Sequence, residues 1–289
     1  MAEIDIDNLV CPKCQGDLGL SDDHLVCNHD RSHRFRIRDG IYSFVGDHEF
    51  DEHWEPHGVV PVAEEKINSA RNFLDPMLNK TDPQSLVLDV GCGDGVHAMM
   101  LTSARESLSY RYIGLDVSFA ALASARSRAT EGIFLHADAA HIPLKNESVD
   151  AVFSYGVIAY TDDPAAAVVE MARVLTPGGM IGIWVYLRPE GLGAWMIKWV
   201  RAITALGGPL VTRFIADLIV PLMAFLPVSS GLNLSNASWK QCREVVLVNI
   251  APQNLVFPDR ETFAGWISRA GLTIESEDMN PPLTIWARK

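Results

Sequence analysis

The chain has 289 residues, 48% hydrophobic and 21% charged, with a formal net charge of −12 at pH 7. That composition belongs to a soluble globular protein, one core domain with additions, and excludes a fibrous or low-complexity chain. The charge disfavours a broad phosphate-binding face, since nucleic-acid affinity comes mainly from Lys and Arg neutralising phosphates, and the densest basic stretch is only Arg31, Arg34, Arg36 and Arg38.

Residues 1–46 read as a small module of their own. Cys11-Pro-Lys-Cys14 has the form of a metal knuckle, because two thiolates three positions apart on a turn can face one ion. Cys27 follows a hairpin-like stretch, and His33, His29 and Asp30 each stand where a fourth ligand is needed. Such a site is structural, because four protein ligands leave no open position for a substrate. The five cysteines, and the lack of a charged segment followed by an apolar run at the start, lead to the expectation of a reducing, cytoplasmic location. Residues 47–80 read as a linker and an N-terminal helix. His48, His53 and His57 lie among acidic residues in a solvated stretch, with Trp54 expected to pack over a neighbouring pocket.

The most informative segment comes next, within a domain expected over residues 81–289. Leu86-Val-Leu-Asp-Val90 has the apolar content of a buried strand, and Gly91, Gly93 and Gly95 then let the backbone turn sharply and approach a ligand. A helical pattern begins at His97. Asp116 closes a second strand, where a carboxylate can accept both hydroxyls of a ribose. A dinucleotide would need G-x-G-x-x-G and a helix N-terminus against its pyrophosphate, whereas Asp89 and Asp94 would repel that group. An ammonium and a sulfonium suit these carboxylates.

At this point the chain resembles the class I S-adenosylmethionine-dependent methyltransferases, over about Ser69 to Val185 and more loosely over Phe257 to Lys289. The resemblance implies a doubly wound, mostly parallel seven-stranded Rossmann-like sheet. It implies cofactor contacts from Asp89, Gly91, Cys92, Gly93, Asp116, Val117, Asp138, Ala139, Tyr155 and Gly156, with Asp138 and Ala139 at the adenine. The segment Ser148–Val157 matches the family's fourth strand, whose end lies beside the reacting methyl group. A helix over Ala165–Val174, a tight turn at Pro177-Gly-Gly179 and a strand from Met180 to Val185 follow in order. The first module resembles the zinc ribbons fused in front of some of these enzymes, including the ribosomal guanine-N1 methyltransferases, and His33-Arg-Phe35 matches their ending. This implies a structural Zn²⁺ on Cys11, Cys14, Cys27 and His33, although Cys27 and His33 stand further apart than in that pattern.

Residues 190–238 form an apolar insertion, expected as two or three helices capping the site or as a hydrophobic channel or membrane-surface patch. Lys198, Arg201, Arg213 and Asp217 interrupt it and Pro209, Pro221 and Pro227 break it, which argues against a membrane span. Thr273–Ser276 and Leu283–Ala287 alternate as antiparallel strands would. Tyr155 and Tyr160 are the expected catalytic residues, in a positioning role, with His141 and Asp162 nearby; the imidazoles that relatives carry after the fourth strand are replaced here by Ala159 and Tyr160. The expected activity is methyl transfer to a small-molecule or lipid-like biosynthetic acceptor. An rRNA guanine-N1 methyltransferase and a catalytically inactive binding protein of the same fold are the alternatives.

Overall fold

The computed structural model describes residues 6–46, 64–102, 110–186, 191–223, 239, 256, 258–278 and 283–289. Four short strands come first: β1 (Leu18–Ser21), β2 (His24–Cys27), β3 (Arg34–Arg38) and β4 (Ile41–Ser43). They form an antiparallel meander in which buried Leu25 and Phe35 face each other across β2 and β3. After α1 (Glu64–Leu78) the chain alternates strand and helix: β5 (Leu86–Val90), α2 (Val96–Thr102), β6 (Arg111–Asp116), α3 (Phe119–Arg128) and β7 (Ile133–His136). Then come β8 (Val149–Tyr155), α4 (Pro164–Val174), β9 (Leu175–Val185), α5 (Gly191–Met223), α6 (Arg260–Arg269), β10 (Thr273–Asp278) and β11 (Leu283–Arg288).

The strand order is β1-β2-β3-β4-β7-β6-β5-β8-β9-β11-β10. From β7 to β9 the strands are parallel, and β11 enters antiparallel between β9 and β10. Among the described residues the sheet therefore has eleven strands and is mixed, which corrects the expectation of a seven-stranded sheet with the first module standing apart from it. Strand β4 pairs in parallel with β7, Ile41 beside Phe134 and Ser43 beside His136, and so carries the first four strands onto the same ladder. Without that pairing β7 would expose an edge of unsatisfied backbone groups.

Parallel strands covered on both faces need near-continuous apolar sequence, and every residue of β5 is buried. One face packs α4 and α6 through Val168, Met171, Phe263 and Trp266, and its core runs on into the first module through Leu9, Leu25 and Phe35. The other face packs α1, α2 and α3 through Phe73, Leu74, Leu101 and Leu122. The indole N–H of Trp286 donates to the carbonyl of Phe73 at 3.0 Å and seats α1 on the sheet. Pro177–Gly179 does not precede the strand but bulges within it: Leu175 pairs with Val149, and the register resumes with Met180 beside Ala151.

Helix α5 has two halves that meet at Gly208, where φ is 69° and ψ −170°. Val200 of the first half packs against Ala216 and Val220 of the second. Among the described residues no helix is long and apolar enough to cross a membrane. His48, His53, Trp54 and His57, together with residues 224–238, lie outside the described residues.

Candidate functional site

Open parallel sheets bind ligands beyond the carboxyl ends of their strands, where the strand order reverses. Here that point is β5, flanked by β6 on one side and β8 on the other. The structure brings Asp89, Asp116, Asp138 and Tyr155 to this edge, each near the end of a neighbouring parallel strand.

After β5 the backbone bends through Gly91 and Gly95, with φ of 83° and 79°. A Cβ at Gly91 would overlap the side chain of Val157, and one at Gly95 would stand 2.7 Å from the Cα of Ala125. Both positions need glycine for the dihedral and for the space. The bend is tied to the next strand: the amides of Gly91 and Cys92 donate to the carbonyl of Leu115 at 2.7 and 3.0 Å. Buried Cys92 packs against Gly114, and burial holds its thiol well above the usual range.

Asp116 holds the bend from the other side. Its Oδ2 accepts from the amide of Gly93 and its Oδ1 from that of Ser118, both at 2.9 Å. Burial pushes its carboxyl up from 3.8 to about 6; the donors on Ser118 and Gly93 work against that rise and the charge of Asp89 adds to it. Asp94 is paired with Arg128 of α3 at 3.1 Å. Asp89 is fully buried. Its Oδ2 receives the hydroxyl of Tyr112 at 2.8 Å and meets Nδ1 of His97 at 3.1 Å, while no donor reaches its Oδ1 among the described residues. A buried carboxylate oxygen without a donor is costly, and a ligand ammonium is a group that could satisfy it.

Beyond β7, Asp138 accepts from the amide of Ala140 and contacts Nδ1 of His141, both at 3.0 Å, and Ala139 beside it is buried. The carbonyl of Val117 accepts from Nε2 of His136 at 3.0 Å. At the end of β8 the ring of Tyr155 stacks on Trp184 of β9, centroids 4.5 Å apart and planes 15° apart, and its hydroxyl bonds Ser69 of α1 at 2.7 Å. The amide of Gly156 donates to the carbonyl of Trp184 at 2.9 Å. Tyr186 meets Trp184 edge to face. Tyr160 stands on a short 3-10 turn, and burial pushes its phenol far above its ordinary value, aided by Tyr186 and opposed by Arg201 of α5. Its phenol therefore stays protonated and keeps an O–H to donate.

In the first module one ligand atom each from Cys11, Cys14, Cys27 and His33 converges, all within 4.8 Å of one another. The sulfurs of Cys14 and Cys27 lie 3.4 Å apart as free thiols, and Cys11 Sγ lies 3.4 Å from Nδ1 of His33. Three thiols and an imidazole at this separation could hold one tetrahedral ion. The wide spacing from Cys27 to His33 is absorbed by a turn in which the amide of His33 donates to Asp30 and that of Cys27 to His33.

Fold, glycine bend and paired strand-end acids together resemble those of class I S-adenosylmethionine-dependent methyltransferase domains. Comparison with known proteins agrees: residues 88–183 match the methyltransferase domain family. Over 94 residues the chain is 38% identical to a probable S-adenosylmethionine-dependent methyltransferase of Mycolicibacterium smegmatis, covering 32% of this chain and 35% of that protein. It is 38% identical over 96 residues to the malonyl-[acyl-carrier protein] O-methyltransferase of Yersinia pestis, covering 33% of this chain and 34% of that protein. The chain thus spans about a third of the length of these curated relatives. Among solved structures it shares its fold with one chain of the complex between the Haloferax volcanii Trm112 methyltransferase activator and a putative methyltransferase. There the TM-score is 0.52 at 17% identity, covering 84% of this chain and 98% of that chain.

Sequence reasoning passed over four residues that the structure brings to this edge: Ser69, His97, Tyr112 and Trp184. His97 carried a signal, as a lone imidazole directly after the glycine bend. The others are ordinary helix and strand residues whose place depends on tertiary pairing.

Proposed function

We propose that this protein transfers the methyl group of S-adenosylmethionine to a small-molecule acceptor with a hydrophobic body. One observation carries the proposal: buried Asp89 keeps an oxygen without a donor directly before the glycine bend, and Asp116 ends the adjacent strand. Asp89, Gly91, Cys92 and Gly93 would hold the methionine end, Asp116 and Val117 the ribose, and Asp138 and Ala139 the adenine, with Tyr155 and Gly156 beside the methyl group. The bound cofactor supplies a methyl carbon already activated by its sulfonium. What remains for the protein is to align the acceptor and exclude water. The stacked Tyr155 and Trp184 give a rigid aromatic wall for that purpose, and the protonated phenol of Tyr160 offers a hydrogen bond that orients the acceptor. A nitrogen acceptor needs no stronger base than this site provides. A structural Zn²⁺ on Cys11, Cys14, Cys27 and His33 would fix the first module and take no part in the chemistry.

The hydrophobic character of the acceptor is supported by α5, where Trp199, Ile203, Leu206, Phe214 and Leu218 are exposed. The similarity to a malonyl-[acyl-carrier protein] O-methyltransferase supports a biosynthetic acceptor, and the net charge of −12 weighs against RNA. The test is incubation of cell extract with the protein and isotope-labelled methyl donor, followed by mass spectrometry. Label is expected in a small apolar compound. Label in ribosomal RNA would overturn the acceptor assignment, and the absence of S-adenosylmethionine binding in calorimetry would leave only an inactive scaffold.

A further inference from the structure

Asp89 does not sit in its pocket unaided. Both its protein partners, the Tyr112 hydroxyl at 2.8 Å and Nδ1 of His97 at 3.1 Å, meet the same oxygen, Oδ2. A carboxylate oxygen only accepts, so His97 presents a protonated Nδ1 to it. The imidazole is itself held: its ring stands edge-on to Phe153 and Tyr155, with centroids at 5.3 and 5.5 Å, and its side chain is 12% exposed. Two donors of fixed direction on one oxygen set the rotation of the carboxylate. They leave Oδ1, in a fully buried group, without a donor among the described residues.

We propose that His97 is a positioning residue for the cofactor's ammonium: together with Tyr112 it clamps Oδ2 of Asp89 so that Oδ1 is presented to the methionine end of S-adenosylmethionine. The inference rests on the proposed function and adds to it a residue that need not touch the cofactor. Without the imidazole donor the carboxylate can rotate about its last bond, and Oδ2 then competes with Oδ1 for the ammonium. A free carboxylate binds a cation less well than one already oriented, because the ordering is left to the binding step.

The test compares two nucleosides in calorimetric titrations. S-adenosylmethionine carries the ammonium; 5′-methylthioadenosine has the same adenosine, with a neutral thioether in place of the sulfonium and no amino-acid tail, so each variant is compared with wild type on each compound separately. His97→Leu keeps an apolar group against Phe153 and Tyr155 but removes the donor. It is expected to weaken S-adenosylmethionine by about tenfold, the size of one lost charge-assisted hydrogen bond, and to leave 5′-methylthioadenosine unchanged. His97→Asn, whose amide can place an N–H where Nδ1 stands, is expected to restore S-adenosylmethionine affinity. Tyr112→Phe, which removes the other donor, should show the same ammonium-selective loss and serves if the Leu variant does not fold. Equal weakening of both nucleosides would mark His97 as merely structural and overturn the inference, as would unaltered S-adenosylmethionine binding. Wild-type protein that binds neither compound would overturn the proposed function as well, so the two failures are told apart.

Discussion

Replacing Asp116 by Asn should remove a loss of stability that the empty protein suffers as pH rises, while weakening its grip on the cofactor. The carboxyl is displaced from 3.8 to about 6, with burial as the largest cause. At about 1.4 kcal/mol per pH unit, this corresponds to roughly 3 kcal/mol by which the ionised form destabilises the fold. The sign follows from proton counting. Between pH 3.8 and about 6 the native state keeps a proton that the unfolded chain has released, so stability falls as pH rises through that window and levels off above it. Asn imitates the neutral form, but only its oxygen can accept from Gly93 or Ser118, and its NH2 then faces the other amide donor, a cost of about 1–3 kcal/mol that does not vary with pH. Urea unfolding followed by tryptophan fluorescence should find the stability of the variant relative to wild type rising by about 3 kcal/mol from pH 4 to pH 7.5. Its affinity for S-adenosylmethionine should drop roughly tenfold to hundredfold, since a ribose hydroxyl loses an ionised acceptor. Wild-type affinity should rise with pH up to about 6 and stay constant above. A difference between variant and wild type that stays the same from pH 4 to pH 7.5 would refute the claim that burial governs this carboxylate.

Two further outcomes are expected. Metal analysis of the purified protein should find about one zinc per chain, and its removal by chelation should lower the thermal midpoint; metal-free protein with an unchanged midpoint would mean that Cys11, Cys14, Cys27 and His33 only pack together. Gly95→Ala should destabilise by about 2–4 kcal/mol in urea titration, combining the left-handed dihedral with overlap on the backbone of Ala125. A loss below about 1 kcal/mol would show that α3 can retreat from the bend.

The glycine bend and the strand-end acids were legible because their information is local: the residue types that permit the turn adjoin the apolar run that makes the strand. The eleven-stranded sheet was not. Ile41-Tyr-Ser43 looks like the last strand of a small separate module, and nothing within it specifies that Phe134-Leu-His136, more than ninety positions later, is its partner. Asp94 shows the same limit. Its sequence position suggested bare negative charge at the bend, but α3 folds back to place Arg128 against it. The clamp on Asp89 joins residues 8 and 23 positions away, Tyr112 through an adjacent strand, and so became visible only once β6 lay beside β5.

The route by which the first module reaches the candidate site also depends on that pairing. The carbonyl of Val117 can only accept, so Nε2 of His136 bears its proton. Nδ1 of the same ring meets the hydroxyl of Ser43 on β4 at 2.7 Å, and that hydroxyl also reaches the carbonyl of Val45 at 3.2 Å. One buried imidazole thus bridges the last strand of the first module and the residue next to Asp116. The amide of Phe44, donating to the carbonyl of His136 at 2.8 Å, fixes the same register from the backbone side. A metal ion that stiffens the first module would therefore act on the adenosine end of the site through strand register and the His136 bridge. Because these contacts run along the parallel β4–β7 pair, slipping it by one residue would turn Ser43 to the opposite face and break the bridge.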